Sequence, residues 1–230
     1  MTDASLDVVR RAAAHVFVDD VANPVLDDGD LHHLSRVLRL RDGQIVTCCD
    51  GRGAWRPCAW TSAGLEATGE VTVESAPSPA LCVAVSPVKS DRIDDAVQRL
   101  VEIGIDRVLV LAPLERSVVR WGDDRARGHL ERLRRIVRAA AMQSRRLHVP
   151  SIEGPVSFDD VVAADGVAVA EPGGRTPWSE VTTVVIGPEG GFTPEEVARA
   201  RRSVSLGGSI LRAETAAVVA GSRLVAHWRG

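Results

Sequence analysis

The sequence lacks the features of a membrane protein or of a protein from an oxidising compartment. It has no long uninterrupted apolar run, and its first eleven residues lack a signal-peptide pattern. The four cysteines include no CxxC pair, and adjacent Cys48 and Cys49 would point to opposite faces of a strand. We therefore expect a cytoplasmic protein with reduced thiols, no bound metal and no membrane partner.

A phosphate-binding lysine is missing from the most glycine-rich part of the chain. Residues 184–196 have the pattern of a buried strand, the turn GPEGGF and the helix start TPEE. Thr193 and Glu196 are spaced for a capping box at that start. Because Glu189 lies within the turn and no lysine follows, a pyrophosphate would meet like charge. The turn favours a neutral or cationic ligand, or else only packs the helix against the sheet.

A second glycine-containing loop precedes the last helical segment. Residues 206–217 read LGGSILRAETAA, and the stretch from Ala216 to Trp228 is strongly apolar with helical length. A helix that is apolar on most sides is buried in a core or against a partner. Glu214 and Thr215 are candidates either for chemistry or for capping this helix.

Taken together, IGPEGGF with TPEE and LGxxILRAETA resemble the SPOUT class of RNA methyltransferases. Within that class the chain resembles the RsmE type, which methylates N3 of uracil in 16S ribosomal RNA. Weaker matches continue upstream, and one departure is Met142 where family members often carry Glu. The upstream segments are His32–Leu34, Arg36–Arg39, Lys89–Arg92, Glu102–Ile105, Glu115–Val119 and Ala139–Arg146.

The resemblance implies an α/β fold with a small PUA-like β-barrel at residues 1–76 and a SPOUT methyltransferase domain at residues 80–230. The second domain would be a trefoil-knotted parallel sheet with flanking helices, and the protein would be a homodimer. The strand pattern alone predicts a small all-β unit, a proline-containing linker at 75–79 and then a parallel α/β sheet. Predicted strands are His15–Val18, Gln44–Cys49, Ala54–Trp60, Glu70–Glu74, Leu81–Val85, Val108–Ala112, Val167–Ala170, Thr183–Ile186 and Ser209–Leu211.

The resemblance also implies S-adenosylmethionine as cofactor, held by three strand-end loops. We assign catalysis to Arg212, which would stabilise negative charge on the uracil oxygens, and to Glu214. The predicted cofactor-binding residues are Ala170, Glu171, Pro172, Gly187, Pro188, Glu189, Gly190, Gly191, Leu206, Gly207, Ile210, Leu211, Arg212 and Thr215.

The net charge of the chain is −3, but its basic residues are clustered along the sequence. We expect such clusters to contact the phosphate backbone of RNA. The expected partner is 16S ribosomal RNA in the small ribosomal subunit. The predicted RNA-binding residues are Arg36, Arg39, Arg41, Lys89, Arg116, Arg145 and Arg146. Two alternatives stay open: a methyltransferase acting on another RNA or base atom, and a ribosome-associated RNA-binding protein without catalysis.

Overall fold

A computed structural model of the chain describes residues 3–88 and 92–230, so the predicted RNA contact Lys89 lies outside the described residues. The chain forms two compact units. The first consists of residues up to Ala76 together with Ala141–Val149, and the second of Pro77–Ala140 together with Pro150–Gly230. No sequence signal indicated that the segment 141–149 belongs with the first unit.

The first unit is built on a five-stranded sheet. β1 and β2 are parallel, β2, β3 and β4 follow one another in antiparallel order, and β5 pairs with β3. Apolar residues from β1, β2 and β3 alternate into one buried cluster that also contains Leu34. Its elements are α1 (Asp3–Arg11), β1 (Ala14–Phe17), α2 (Asp28–His32), β2 (Ile45–Cys49), β3 (Ala54–Thr61), β4 (Gly64–Ala67) and β5 (Thr72–Val73).

Between β1 and β2 the sequence favours one helix over Leu31–Leu40, and the observed helix differs from this. It begins at Asp28, because the Asp27 carboxylate accepts a hydrogen bond from the Asp30 N–H at 2.7 Å and caps the helix earlier. From His33 to Val37 the helix is a π-helical turn. It ends before Arg39, whose φ of 53° is incompatible with a continuing right-handed helix.

The buried side chain of His15 is hydrogen-bonded within the first unit. The ring of His15 has Nδ1 at 2.8 Å from the Thr47 hydroxyl and Nε2 at 3.2 Å from the Arg146 carbonyl oxygen. Since that carbonyl can only accept, Nε2 carries the proton and Nδ1 accepts from Thr47. Burial lowers the pKa of His15 to about 4.

All four cysteines are unoxidised and buried. The sulfur atoms of Cys48 and Cys58 lie 3.4 Å apart between β2 and β3. Burial raises the pKa of Cys49 to about 11 and that of Cys82 to about 12, so neither thiol ionises near neutral pH. Among the described residues, His, Cys, Asp and Glu side chains form no group of three suited to a metal ion.

The second unit is a six-stranded sheet in the order β11-β9-β10-β6-β7-β8, with every neighbouring pair parallel. This confirms the predicted parallel sheet with flanking helices. Its strands are β6 (Cys82–Val85), β7 (Arg107–Leu111), β8 (Ser151–Val156), β9 (Val167–Ala170), β10 (Thr183–Ile186) and β11 (Ser203–Val204). Its helices are α3 (Arg92–Ile103), α4 (Asp123–Gln143, ending in the first unit's segment), α5 (Phe158–Val162), a 3₁₀ turn (Trp178–Glu180), α6 (Pro194–Arg199) and α7 (Ala213–Arg229).

In this unit one predicted strand is wrong, and two observed strands, β8 and β11, were not predicted. Ser209–Leu211, predicted as a strand, lies in the loop before α7, and the strand nearest to it is Ser203–Val204. Ser209 and Ile210 are exposed, and this short apolar run does not pair with a strand of the sheet. Residues 151–156 were not predicted as a strand, yet they form β8 at the edge of the sheet, where Pro155 is tolerated.

Helix α4 buries the face that its apolar periodicity favours, whereas α7 is less buried than its apolar sequence led us to expect. On α4 the apolar positions Leu130, Leu133, Val137 and Ala140 are buried. By contrast α7 is buried along one face only, where Ala216, Ala217, Ala220, Gly221 and Leu224 pack, and its other positions are half-buried or exposed. Among the described residues, the helices include none long and apolar enough to span a membrane.

Candidate functional site

A cavity of about 680 Å³ opens at the carboxyl ends of the strands in the second unit. It lies where the segments that follow β9, β10 and β11 meet, because parallel strands deliver their carboxyl ends to one edge of a sheet. Its lining consists of Arg92, Arg116, Ala170–Pro172, Ile186–Phe192, Leu206, Gly207, Ser209–Ala213 and Ala216.

The turn after β10, residues 187–192, is tightly packed. A Cβ added to Gly187 would lie 3.1 Å from the Phe192 ring, and one added to Gly190 would lie 3.0 Å from both Cβ and the carbonyl oxygen of Arg116. Gly191 has a φ of 72°, which favours glycine. The turn therefore needs glycine for two reasons, close approach and backbone angle.

Helix α6 fixes the far side of this turn through the predicted capping box. The Thr193 hydroxyl accepts from the Glu196 N–H at 3.2 Å, and the Glu196 carboxylate accepts from the Thr193 N–H at 2.8 Å. Phe192 is buried in a cluster against which Val197 packs, in agreement with the hydrophobic staple that the spacing of these two residues favours. The sequence prediction of this helix start is confirmed.

The loop before α7, residues 205–212, is open by comparison. Within the described residues, a Cβ added to Gly207 or Gly208 would meet nothing within 4 Å, and Ile210 is 87% exposed although it lines the cavity. The Ser205 hydroxyl bonds the backbone of Gly207 at 3.3 Å, and Arg223 donates to the Ser205 carbonyl at 3.0 Å. These contacts hold the beginning of the loop and leave its second half accessible.

The third segment, Ala170–Pro172, is tied to β11. The Glu171 N–H donates to the Val204 carbonyl at 3.0 Å, and the Gly174 N–H donates to the Glu171 carbonyl at 3.0 Å. Backbone groups of a turn held in this way keep fixed directions, as a site that reads a ligand through its main chain requires.

Charges of both signs surround the cavity. Glu171 and Glu189 supply carboxylates, and Arg92, Arg116 and Arg212 supply guanidinium groups. Arg116 donates to the Phe192 carbonyl at 2.9 Å, so it supports the packed turn. Arg212 occupies the N-cap position of α7 and makes no side-chain capping bond.

The structure brings together all but one of the predicted cofactor-binding residues. Thr215 is exposed on α7 and is not part of the cavity lining. Of the two predicted catalytic residues, Arg212 lines the cavity, whereas Glu214 lines a neighbouring cavity of about 10 Å³. Of the other lining residues, Phe192 and Ser209 lie within the predicted cofactor loops 170–172, 187–192 and 206–212, whereas Arg92, Ile186, Ala213 and Ala216 were not predicted.

The predicted RNA-binding residues fall into both units. Arg116 lines the cavity in the second unit, whereas the other described members belong to the first unit: Arg36, Arg39, Arg41, Arg145 and Arg146. The first three are exposed. Arg145 instead donates to the Val9 carbonyl at 2.6 Å, which is a bond inside the first unit.

Comparisons with known proteins agree with this arrangement. The model of an RNA methyltransferase domain matches residues 75–225, and that of an RNA methyltransferase PUA domain matches residues 26–67. The chain is 30% identical over 226 residues to the ribosomal RNA small subunit methyltransferase E of Mycobacterium bovis, covering 88% of this chain and 86% of that protein. The chain belongs to the ribosomal RNA small subunit methyltransferase E family.

Further members of the family support the same assignment. The Bacillus subtilis ribosomal RNA small subunit methyltransferase E is 28% identical over 218 residues, covering 83% of this chain and 85% of that protein. The crystal structure of a probable rRNA methyltransferase from Porphyromonas gingivalis is 30% identical, with a TM-score of 0.73 over 94% of this chain and all of that one. A family member from Neisseria gonorrhoeae, crystallised with S-adenosyl methionine, has the same fold, with a TM-score of 0.74 at 24% identity over 94% and 98% of the two chains.

Proposed function

We propose that this chain transfers a methyl group from S-adenosylmethionine to N3 of one uridine in 16S ribosomal RNA of the small subunit. The observation that carries the proposal is the convergence of two glycine loops and Arg212 on a single cavity. Membership of an rRNA methyltransferase family supports the reaction class.

The cavity residues fit S-adenosylmethionine. The cavity volume of about 680 Å³ is in the range of cofactor pockets. Apolar Leu206, Ile210 and Leu211 line the cavity beside exposed backbone groups. Glu171 and Glu189 oppose a pyrophosphate but suit a sulfonium cation. When bound, the cofactor supplies an electrophilic methyl carbon.

The protein's part in the reaction is positioning and charge stabilisation. N3–H of uracil is hidden in a Watson–Crick pair, so the target base must be unpaired or flipped. We assign Arg212 to stabilise the negative charge that develops on the uracil carbonyl oxygens as N3 loses its proton. Glu214 follows Arg212 by two residues. It either orients the Arg212 side chain or accepts a hydrogen bond from the base.

RNA binding is assigned to exposed arginines of the PUA domain and to Arg116. Arg36, Arg39 and Arg41 are all exposed on the first unit, as phosphate contacts require. Lys89, Arg145 and Arg146 complete the proposed set. Because such contacts release counterions, RNA affinity should fall steeply as salt rises.

We further propose a trefoil knot in the second unit and a homodimer in the cytoplasm. Half-buried Val218, Val219 and Val225 on α7 and the exposed Ile210 support a partner surface in this unit. Light scattering coupled to size exclusion tests the dimer, and a stable species of 24.6 kDa would contradict it.

One experiment tests the reaction. The purified protein is incubated with labelled methyl donor and small subunits from cells that lack this methyltransferase, and the modified nucleoside is mapped by mass spectrometry. We expect 3-methyluridine at one site in 16S RNA. Label on another base atom would favour the first alternative, and calorimetry without heat from S-adenosylmethionine would favour the non-catalytic RNA-binding protein.

A further inference from the structure

Arg92 contacts both the packed turn 187–192 and the first turn of α7. It is the first described residue of α3 and it lines the cavity itself. Its Nη1 atom lies 3.5 Å from Oε1 of Glu189, in the packed turn, and 3.8 Å from Oε1 of Glu214, in the first turn of α7. One guanidinium group therefore stands between a carboxylate of the packed turn and a carboxylate of α7.

Glu214 depends on this cation. Its side chain is only 17% exposed, and its Oε2 atom is buried without a hydrogen-bond partner in the described part of the chain. A buried carboxylate that is neither fully hydrogen-bonded nor solvated is costly, so the nearby positive charge of Arg92 offsets part of that cost.

The place of Arg92 in α3 also favours a role beyond helix stability. A positive side chain at the first helical position opposes the helix dipole, and the two acids in the same turn, Asp94 and Asp95, are the residue type that suits it. An arginine at this position lowers the stability of its own helix, so its benefit lies elsewhere, in the two carboxylates that it contacts.

We propose that Arg92 is a positioning residue for methyl transfer. This inference rests on the proposed function. By holding Glu189 and Glu214 together, Arg92 fixes the start of α7 relative to the packed turn and so sets the direction of Arg212, the N-cap of α7. Removing it leaves the packed turn intact, because Phe192, Arg116 and the Thr193–Glu196 box hold that turn independently.

This predicts a separation of kinetic effects. Arg92→Gln should lower kcat for methylation of small subunits by about tenfold or more, since misplacement of a catalytic group is costly. KM for S-adenosylmethionine should rise by less than about threefold, because the turn that supports the cofactor stays formed. Arg92→Lys keeps the charge and should recover about half of the lost rate, when rates are compared on a logarithmic scale.

Arg99→Gln is the matched control. Arg99 lies on the same helix and is exposed, away from the cavity lining. It should leave kcat and KM unchanged. Thermal unfolding of both variants verifies that the chains are folded, and a variant pair with equal melting temperatures but different kcat separates positioning from stability.

A double-variant cycle identifies the group through which Arg92 acts. Single-turnover methylation keeps slow variants measurable. In the Glu214→Gln background, Arg92→Gln should add less than about a twofold loss, because the two residues act as a unit. Fully additive losses, or an Arg92→Gln variant with the kinetics of Arg99→Gln, would overturn the proposal. If the wild-type chain neither binds S-adenosylmethionine in calorimetry nor transfers methyl groups, the proposed function itself fails, whatever the variants do.

Discussion

The two glycine loops of the cavity differ in how completely the protein itself holds them. The turn 187–192 is packed against Phe192 and Arg116 and ends in a capping box. The loop 205–212 has open space around Gly207 and Gly208, an exposed Ile210 and an uncapped helix start at Arg212. One wall of the site is therefore held by contacts within the protein, while the other leaves polar and apolar groups exposed at the cavity.

The largest expected effect is at the uncapped helix start. Arg212→Ser should lower kcat by about 100-fold or more, because a group that stabilises developing charge is lost. The same change should raise the unfolding free energy by about 0.5–1 kcal/mol, since serine is a good N-cap and arginine makes no capping bond there. Kinetics and urea unfolding measure the two effects.

Arg201→Ser is the control, because Arg201 is exposed and outside the cavity lining. It should change neither quantity. An Arg212→Ser variant that is both inactive and less stable would show that this loop is held together as tightly as the turn, and the contrast between them would be lost.

The stability of the first unit should depend on pH through His15, a residue that belongs to neither loop. His15 has a folded pKa of about 4, below its ordinary value of 6.5, so the unfolded chain binds its proton first as pH falls. The contribution of His15 is fully present above pH 6.5 and is lost between 6.5 and 4, at a cost of up to about 3 kcal/mol.

Urea unfolding followed by tryptophan fluorescence at several pH values measures this loss. His15→Gln should be less steeply dependent on pH in that window than the wild type. Equal pH slopes for the two proteins would contradict the assignment. At each pH where the chain stays folded, calorimetry with S-adenosylmethionine shows whether binding at the two loops is independent of His15.

A matched pair of glycine substitutions tests packing directly. Gly190→Val should lower the unfolding free energy by about 2 kcal/mol, because the new side chain meets the backbone and Cβ of Arg116. Gly208→Val should change it by less than about 0.5 kcal/mol, because the site is open. Denaturant midpoints compare the two, and similar losses would break the distinction between packed turn and open loop.

The smallest effect concerns the cap of α6. Thr193→Ala removes the acceptor for the Glu196 N–H and should cost about 1 kcal/mol. Thr193→Ser keeps a hydroxyl and should recover most of that loss. If both variants unfold like the wild type, the box does not contribute to the rigidity of the turn.

The same contrast explains which parts of the site the sequence could predict. The turn 187–192 follows local rules, since glycine, N-cap and staple act within a few residues, and its prediction from Thr193, Glu196 and Phe192 is confirmed. The run Ser209–Leu211 was misread as a strand because apolar residues beside glycine suit a strand as well as a cavity wall. Only the tertiary fold decides between them.

Long-range contacts were the other part of the site that the sequence could not predict. Arg92 reaches the cavity because β6 ends at the same sheet edge as β10, a fact of strand order that no local pattern carries. The faces of α3 and α4 and the parallel sheet were predictable from periodicity. The trefoil knot and the homodimer stay predictions that rest on the family resemblance.

The first unit is discontinuous in sequence, and this affects its synthesis. Its segment 141–149 accepts the hydrogen bond from His15 and donates from Val149 to the Gly51 carbonyl at 2.9 Å. These bonds cannot form until residue 149 has emerged from the translating ribosome, long after residue 76. The first unit therefore cannot finish folding when only its residues up to Ala76 have been translated. A chain truncated at the proline-containing linker would lack part of the interior of this unit.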